Sequence, residues 1–184
     1  MRAVQRQVGY TDLVNMPDDG RRYEIHGGEL VVVPSPLPIH QIAVLRIATR
    51  LDDYGRRSGG LALVAPLDIV FDEHDVVQPD VVFFRTERRH LVRPRAVTRA
   101  APDIAVEVLS PSTAAVDRGR KMGLFARYRV PEYWIADPVR PQLEVYVLAD
   151  GAYEQAQAAS PGDTVRSVLL PDLTILVADI FTLA

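Results

Sequence analysis

PDIAVEVLSPST, residues Pro102 to Thr113, passes from strand to helix in one short segment. Asp103 to Leu109 is apolar at nearly every position, the pattern of a strand covered on both faces in the middle of a sheet. Ser110-Pro111-Ser112-Thr113 then offers hydroxyls to cap a helix, which the sequence carries to about Tyr128. Side chains alternate along a strand, so Asp103, Ala105, Glu107 and Leu109 share a face. Glu107 is therefore a carboxylate in apolar surroundings, costly to bury as an ion unless something compensates it.

Upstream, QPDVVFF sets Asp80 at the head of a strand running to Phe84. Leu61 to Phe71 reads as one strand, and Asp72 to Val77 as the turn after it. From Ile39 to about Arg57 the residues Ile42, Leu45, Ile47 and Leu51 recur near helical spacing, and Gly59-Gly60 closes that helix. Arg22 to His26 and Glu29 to Val33 form a hairpin across Gly27-Gly28, joined to the helix by PSPLP, Pro34 to Pro38. Tyr10 to Met16 predicts a short helix ahead of them. Downstream, Glu132 to Asp137 and Leu143 to Leu148 are strands, and Tyr153 to Ala158 pairs back across Asp150-Gly151. Pro171 to Phe181 holds one more short strand and a terminal turn. The expectation is a single domain over residues 1–184, α/β or α+β, with a mixed central sheet flanked by helices.

Composition narrows the chemistry. The chain has no cysteine, which excludes disulfides and thiolate metal sites. A net charge of -3 gives no overall basic footprint, so contact with nucleic acid requires a local patch. The opening MRAVQRQVGYTDLV lacks the apolar core of a signal peptide, and no apolar run is long enough to span a bilayer. A cytoplasmic protein without membrane attachment is expected.

Two strand-borne carboxylates, Asp80 and Glu107, suit a hard divalent cation such as Mg²⁺ or Mn²⁺, with a backbone carbonyl such as that of Val108 beside them. Lys121 follows on the next helix, which a short connection keeps beside the strand of Glu107. It is the only lysine among the 21 Lys and Arg residues. A lysine can lower its pKa near a site and orient water, whereas arginine does not give up its proton. Each residue also has a purely structural reading. Asp80 can cap a turn after Pro79, Glu107 can pair with a buried arginine, and Asp117 with Lys121 forms an i, i+4 pair.

The same residues carry a family resemblance. YEIHGGELVVVPSP, His40-Gln41, PDVVFF, PDIAVEVLSPST, DRGRK, RVPEYWIADP and LLPDLTILVADIF together resemble the Uma-two family of restriction-endonuclease-like proteins over nearly the whole chain. The resemblance implies the PD-(D/E)XK nuclease superfamily and its fold, with Asp80 and Glu107 as the acids. The position two after Glu107 is Leu109 rather than lysine, and Lys121 matches the place to which the family's lysine has moved. Phe125 stands where tyrosine is usual, and Arg129 where glycine is usual. The first departure concerns a hydroxyl near the site, the second the end of a helix. Glu24 and Glu29 match the family motif too, and the preferred reading of both is as exposed strand residues. Tyr133 and Trp134 read as packing.

His40 and Gln41 open the long helix, where related nucleases bring a polar residue toward the metal; they read equally as a surface histidine and a polar residue at a helix N-terminus. Arg85 to Arg99 carries six arginines and His90 against Glu87 alone. Arg85, Arg88, Arg89 and Arg93 are candidates to hold phosphates, on the expectation that both ends of this connection lie near the metal. The function expected is metal-dependent hydrolysis of phosphodiesters in DNA, possible as a homodimer when both strands are cut. The alternative is a catalytically inactive nuclease-fold module that binds nucleic acid or protein.

Overall fold

The computed structural model describes residues 7–182. The first six residues, part of the stretch read above for a signal peptide, lie outside the described residues. After α1 (Tyr10–Val14), β1 (Arg22–His26) and β2 (Glu29–Val33) form the expected hairpin. Its two glycines have φ of 61° and 80°, the left-handed pair such a tight turn requires. Helix α2 (Pro38–Ser58) starts on a proline, where a missing N–H costs nothing, and ends at Gly59 with φ 83°.

The expected strand from Leu61 to Phe71 is two strands. β3 (Leu61–Val64) and β4 (Ile69–Asp72) lie in different sheets. Pro66, with no N–H to give a ladder, falls between them. The expected turn from Asp72 to Val77 shrinks to Glu73-His74, because Asp75–Val77 is β5, paired with both β4 and β1. Three residues are too few for periodicity to announce them.

β6 (Val81–Phe84) is followed by a 3₁₀ turn (Arg89–Leu91) and then β7 (Ile104–Val108), buried at every position. The helix expected after Ser110 runs without a gap as α3 (Ala114–Val116), a π turn (Asp117–Lys121) and α4 (Met122–Arg127). β8 (Glu132–Asp137), β9 (Gln142–Ala149) and β10 (Ala152–Ala159) follow as read. Two short strands, β11 (Thr164–Arg166) and β12 (Thr174–Leu176), pair with each other before α5 (Ala178–Phe181). β11 lay outside the expected elements.

The main sheet runs β10-β9-β8-β7-β6-β3. It is mixed: β7 and β8 are parallel, and the neighbouring pairs are antiparallel. A smaller antiparallel sheet runs β2-β1-β5-β4. Helices cover both faces of the main sheet. On one, Ala43, Ile47 and Leu51 of α2 pack on Phe83, Val106 and Trp134. On the other, Leu124 and Phe125 of α4 pack on Phe84, Ala105 and Tyr133. Each large side chain buried this way contributes about 1.5–3 kcal/mol. Among the described residues no helix is long and apolar enough to cross a membrane.

Candidate active site

Asp80 and Glu107 come together because β6 and β7 are antiparallel, with Val81 opposite Val106. That register sets the residue before β6 beside the end of β7. The Val108 amide donates to Asp80 Oδ2 at 2.8 Å, and His40 Nε2 lies 3.2 Å from the same oxygen. Both contacts fall on Oδ2, and Asp80 lines the cleft. His40 reaches this point from the first turn of α2, while Gln41 beside it points to solvent and lines no part of the cleft.

Lys121 arrives on the crossover between the parallel strands β7 and β8. The π turn's hydrogen bonds span one more residue than those of an α-helix, and it buries Asp117 and Lys121 together. Lys121 Nζ stands 2.5 Å from Glu107 Oε1, 3.1 Å from Glu24 Oε1 and 4.0 Å from Asp117 Oδ1. Glu24 is thus not the exposed strand residue expected above: it is only 4% exposed. Its Oε2 meets His26 Nε2 at 2.9 Å, and its Oε1 accepts the Gln78 N–H at 2.7 Å. The alternation of Glu24 and His26 along β1 resembled a solvent face, but the crossover covers it. Glu29 is exposed as read and pairs with Arg120 at 2.8 Å.

These groups floor a cleft of about 320 Å³, walled by Val31, Val33, Pro34 and Val116, with Arg22 on its lining. Glu24, Glu107 and Asp117 face one ammonium, and Asp80 lines the same cleft. Burial and the carboxylates of Asp117, Asp80 and Glu24 push the Glu107 carboxyl well above its ordinary range, against the pull of Lys121. Burial likewise raises Asp117. Burial opposes ionisation of Glu24 too, but Lys121, His26 and the Gln78 N–H outweigh it and hold that carboxyl down to about 2. Lys121 is raised, because Glu107, Glu24 and Asp117 outweigh the cost of its burial. The lowering of its pKa expected above is not seen: the carboxylates around it favour the ammonium form of Lys121.

The donor set suits a hard divalent cation. Four carboxylates share one lysine here, and Glu107 Oε1 has Lys121 Nζ, at 2.5 Å, as its one close partner. Among the described residues no three histidine or carboxylate side chains are arranged to enclose a metal by themselves. Two carboxylates leaving room for water and phosphate is the usual way a protein holds Mg²⁺.

The arginine connection is elsewhere. It leaves β6 at Phe84 and enters β7 at Ile104, the ends away from Asp80 and Glu107. Four strand residues make that separation roughly 13 Å. The expectation that both its ends flank the site is therefore corrected. Arg85 and Arg88 pair with fully buried Asp103 at 3.2 and 3.0 Å, which explains a carboxylate at the start of β7. Arg89 donates to the Gly59 carbonyl at 3.1 Å, and Arg93 is exposed. Phe125 packs in the core against Phe71 and Tyr133 and does not line the cleft. Tyr133 and Trp134 are fully buried packing residues, as read.

A mixed sheet covered by helices, with two strand acids and a buried lysine in a cleft, defines a restriction-endonuclease-like protein. The family model described as "Putative restriction endonuclease", Uma2, matches residues 10–178, and the chain belongs to that family. A crystal structure described as a "putative nuclease belonging to DUF820", from Anabaena variabilis, superposes with a TM-score of 0.78 at 18% identity. The match covers 95% of this chain and 97% of that one, and it establishes the shared fold. Among curated proteins, none matches.

Proposed function

We propose that this chain is a metal-dependent nuclease of the PD-(D/E)XK type that hydrolyses phosphodiester bonds in DNA in the cytoplasm. The observation that carries the reading is the buried excess of carboxylate around Lys121 at the floor of an open cleft. Family membership supports a nuclease, and the proposal adds the metal, the substrate and the residue roles. The Asp80 and Glu107 carboxylates would hold Mg²⁺ or Mn²⁺, which when bound supplies an activated water and charge neutralisation at the phosphate. Lys121 keeps its proton and places a fixed positive charge beside Glu107, where a phosphoryl oxygen gains charge as the P–O bond breaks. His40 and the Val108 amide fix the rotamer of Asp80. Exposed Arg93 and other cations at the far strand ends would meet the duplex only at a distance, as positioning contacts. Cutting both strands would bring two copies together.

The test is Mn²⁺ titration by calorimetry on wild type and Glu107→Ala, with plasmid cleavage followed in the same samples. Binding and cleavage in the wild type, both lost in the variant, support the reading. A wild type that binds no metal and cuts neither DNA nor RNA removes it and leaves a nuclease fold used for binding.

A further inference from the structure

Three carboxylates face Lys121, and only Glu107 belongs to the proposed metal site. Asp117 is the most distant, at 4.0 Å and on the same turn. Glu24 comes from the other sheet, 97 residues away in sequence. Glu24 has both oxygens committed: Oε1 to Lys121 and the Gln78 amide, Oε2 to His26. Glu24 and His26 are buried, with relative exposures of 4% and 0%. A lysine side chain has four rotatable carbons, so its ammonium keeps one position only if several partners fix it. Burying an ionised glutamate merely to steady a fold is expensive, and an apolar residue would do it better.

We infer that Glu24, oriented by His26 and the Gln78 amide, is a positioning residue that holds the Lys121 ammonium against Glu107. This deepens the nuclease reading and rests on it. Glu24 does not touch the phosphate. It acts through Lys121, keeping the ammonium from turning away when substrate and metal draw on Glu107. His26 stands behind it as the group that fixes the carboxylate plane, in the manner of the outer partners that orient groups in metal sites.

The chain's single lysine makes the test direct. Protein labelled with ¹⁵N-lysine carries one Nζ signal, which reads the surroundings of Lys121 without reference to activity. Glu24→Gln keeps the shape of the side chain and removes its charge. The signal should move or broaden in this variant, kcat for Mn²⁺-dependent DNA cleavage should fall about 10- to 100-fold, and KM and Mn²⁺ affinity should change far less. Glu24→Asp, should Glu24→Gln not fold, should shift the signal and kcat in the same direction. Mn²⁺ affinity falling in step with kcat would make Glu24 a ligand and overturn the inference. So would an unmoved Nζ signal, or a variant that cleaves like the wild type. A wild type without cleavage on any nucleic acid sinks the nuclease reading and with it a catalytic purpose for Glu24, whereas an unmoved signal in an active protein sinks this inference alone.

Discussion

Burial and three neighbouring carboxylates act against ionisation of Glu107, and Lys121 alone favours it. Glu107→Gln removes that conflict while keeping the side-chain shape, and Lys121 retains Glu24 and Asp117. The variant should be more stable by about 1 kcal/mol, or about 2–4 °C in Tm for a chain of this size, and should bind no Mn²⁺. Calorimetric melting checks it, and a lower Tm would mean that the Glu107–Lys121 pair is a net support. Glu24 behaves oppositely. Its carboxyl lies at about 2 against an ordinary 4.5, so its ionised form adds stability above 4.5 that is lost as pH falls toward 2. Glu107 and Asp117, shifted upward, instead lose stability as pH rises past their ordinary values. Urea midpoints should therefore drop more steeply between pH 4.5 and 2 in wild type than in Glu24→Gln. Parallel curves would show that Glu24 is not held ionised.

Helix α4 ends on a residue that does not suit its place. Arg129 has φ 56°, its N–H donates to the Ala126 carbonyl, and the Val130 N–H reaches back to Phe125. That is the Schellman pattern, whose left-handed position favours glycine by about 1 kcal/mol. Arg129→Gly should raise stability by about that much, read from urea unfolding. Gly60→Ala should do the reverse, because a Cβ there would meet the Phe83 ring and the Phe84 carbonyl. No change in the first and tolerance of the second would mean that these backbones relax freely. The oddity at Arg129 was visible in the sequence as a departure from a family glycine, as were the hairpin glycines, the buried run of β7 and the pair Asp80 and Glu107. Other elements left no local signal. β5 is three residues long, and the π turn differs from an α-helix by one hydrogen-bond step that no periodicity records. Glu24 and His26 alternate like a solvent face, and only the packing of the crossover over β1 buries them. The arginine connection misled because a positive run is plain in sequence, while the end of the strand it leaves depends on pairing direction.

At the scale of the whole molecule the site exists only when distant elements meet. Glu24 comes from the smaller sheet, Asp80 and Glu107 from the larger one, His40 from α2 and Lys121 from the crossover. No fragment of the chain brings these groups together, so a cation bound at Asp80 and Glu107 should stabilise the complete fold rather than one segment. A ligand that binds only the folded state adds about 2.7 kcal/mol at 100 times its Kd. For a protein of this length that is about 5–10 °C in Tm. Trp134, fully buried beside Val106 on the central strands, is the only tryptophan and reports loss of the core. Raising Mn²⁺ should move the Trp134 fluorescence transition and the helical circular-dichroism transition upward together, and Glu107→Gln should abolish both shifts. A shift that survives in Glu107→Gln would put the metal elsewhere. A shift in one probe alone would mean that the cation tightens part of the structure and leaves the two sheets uncoupled. Coincident shifts that vanish with Glu107 would tie the excess of buried carboxylate to the purpose assigned to it, a folded cost that the cation offsets on binding.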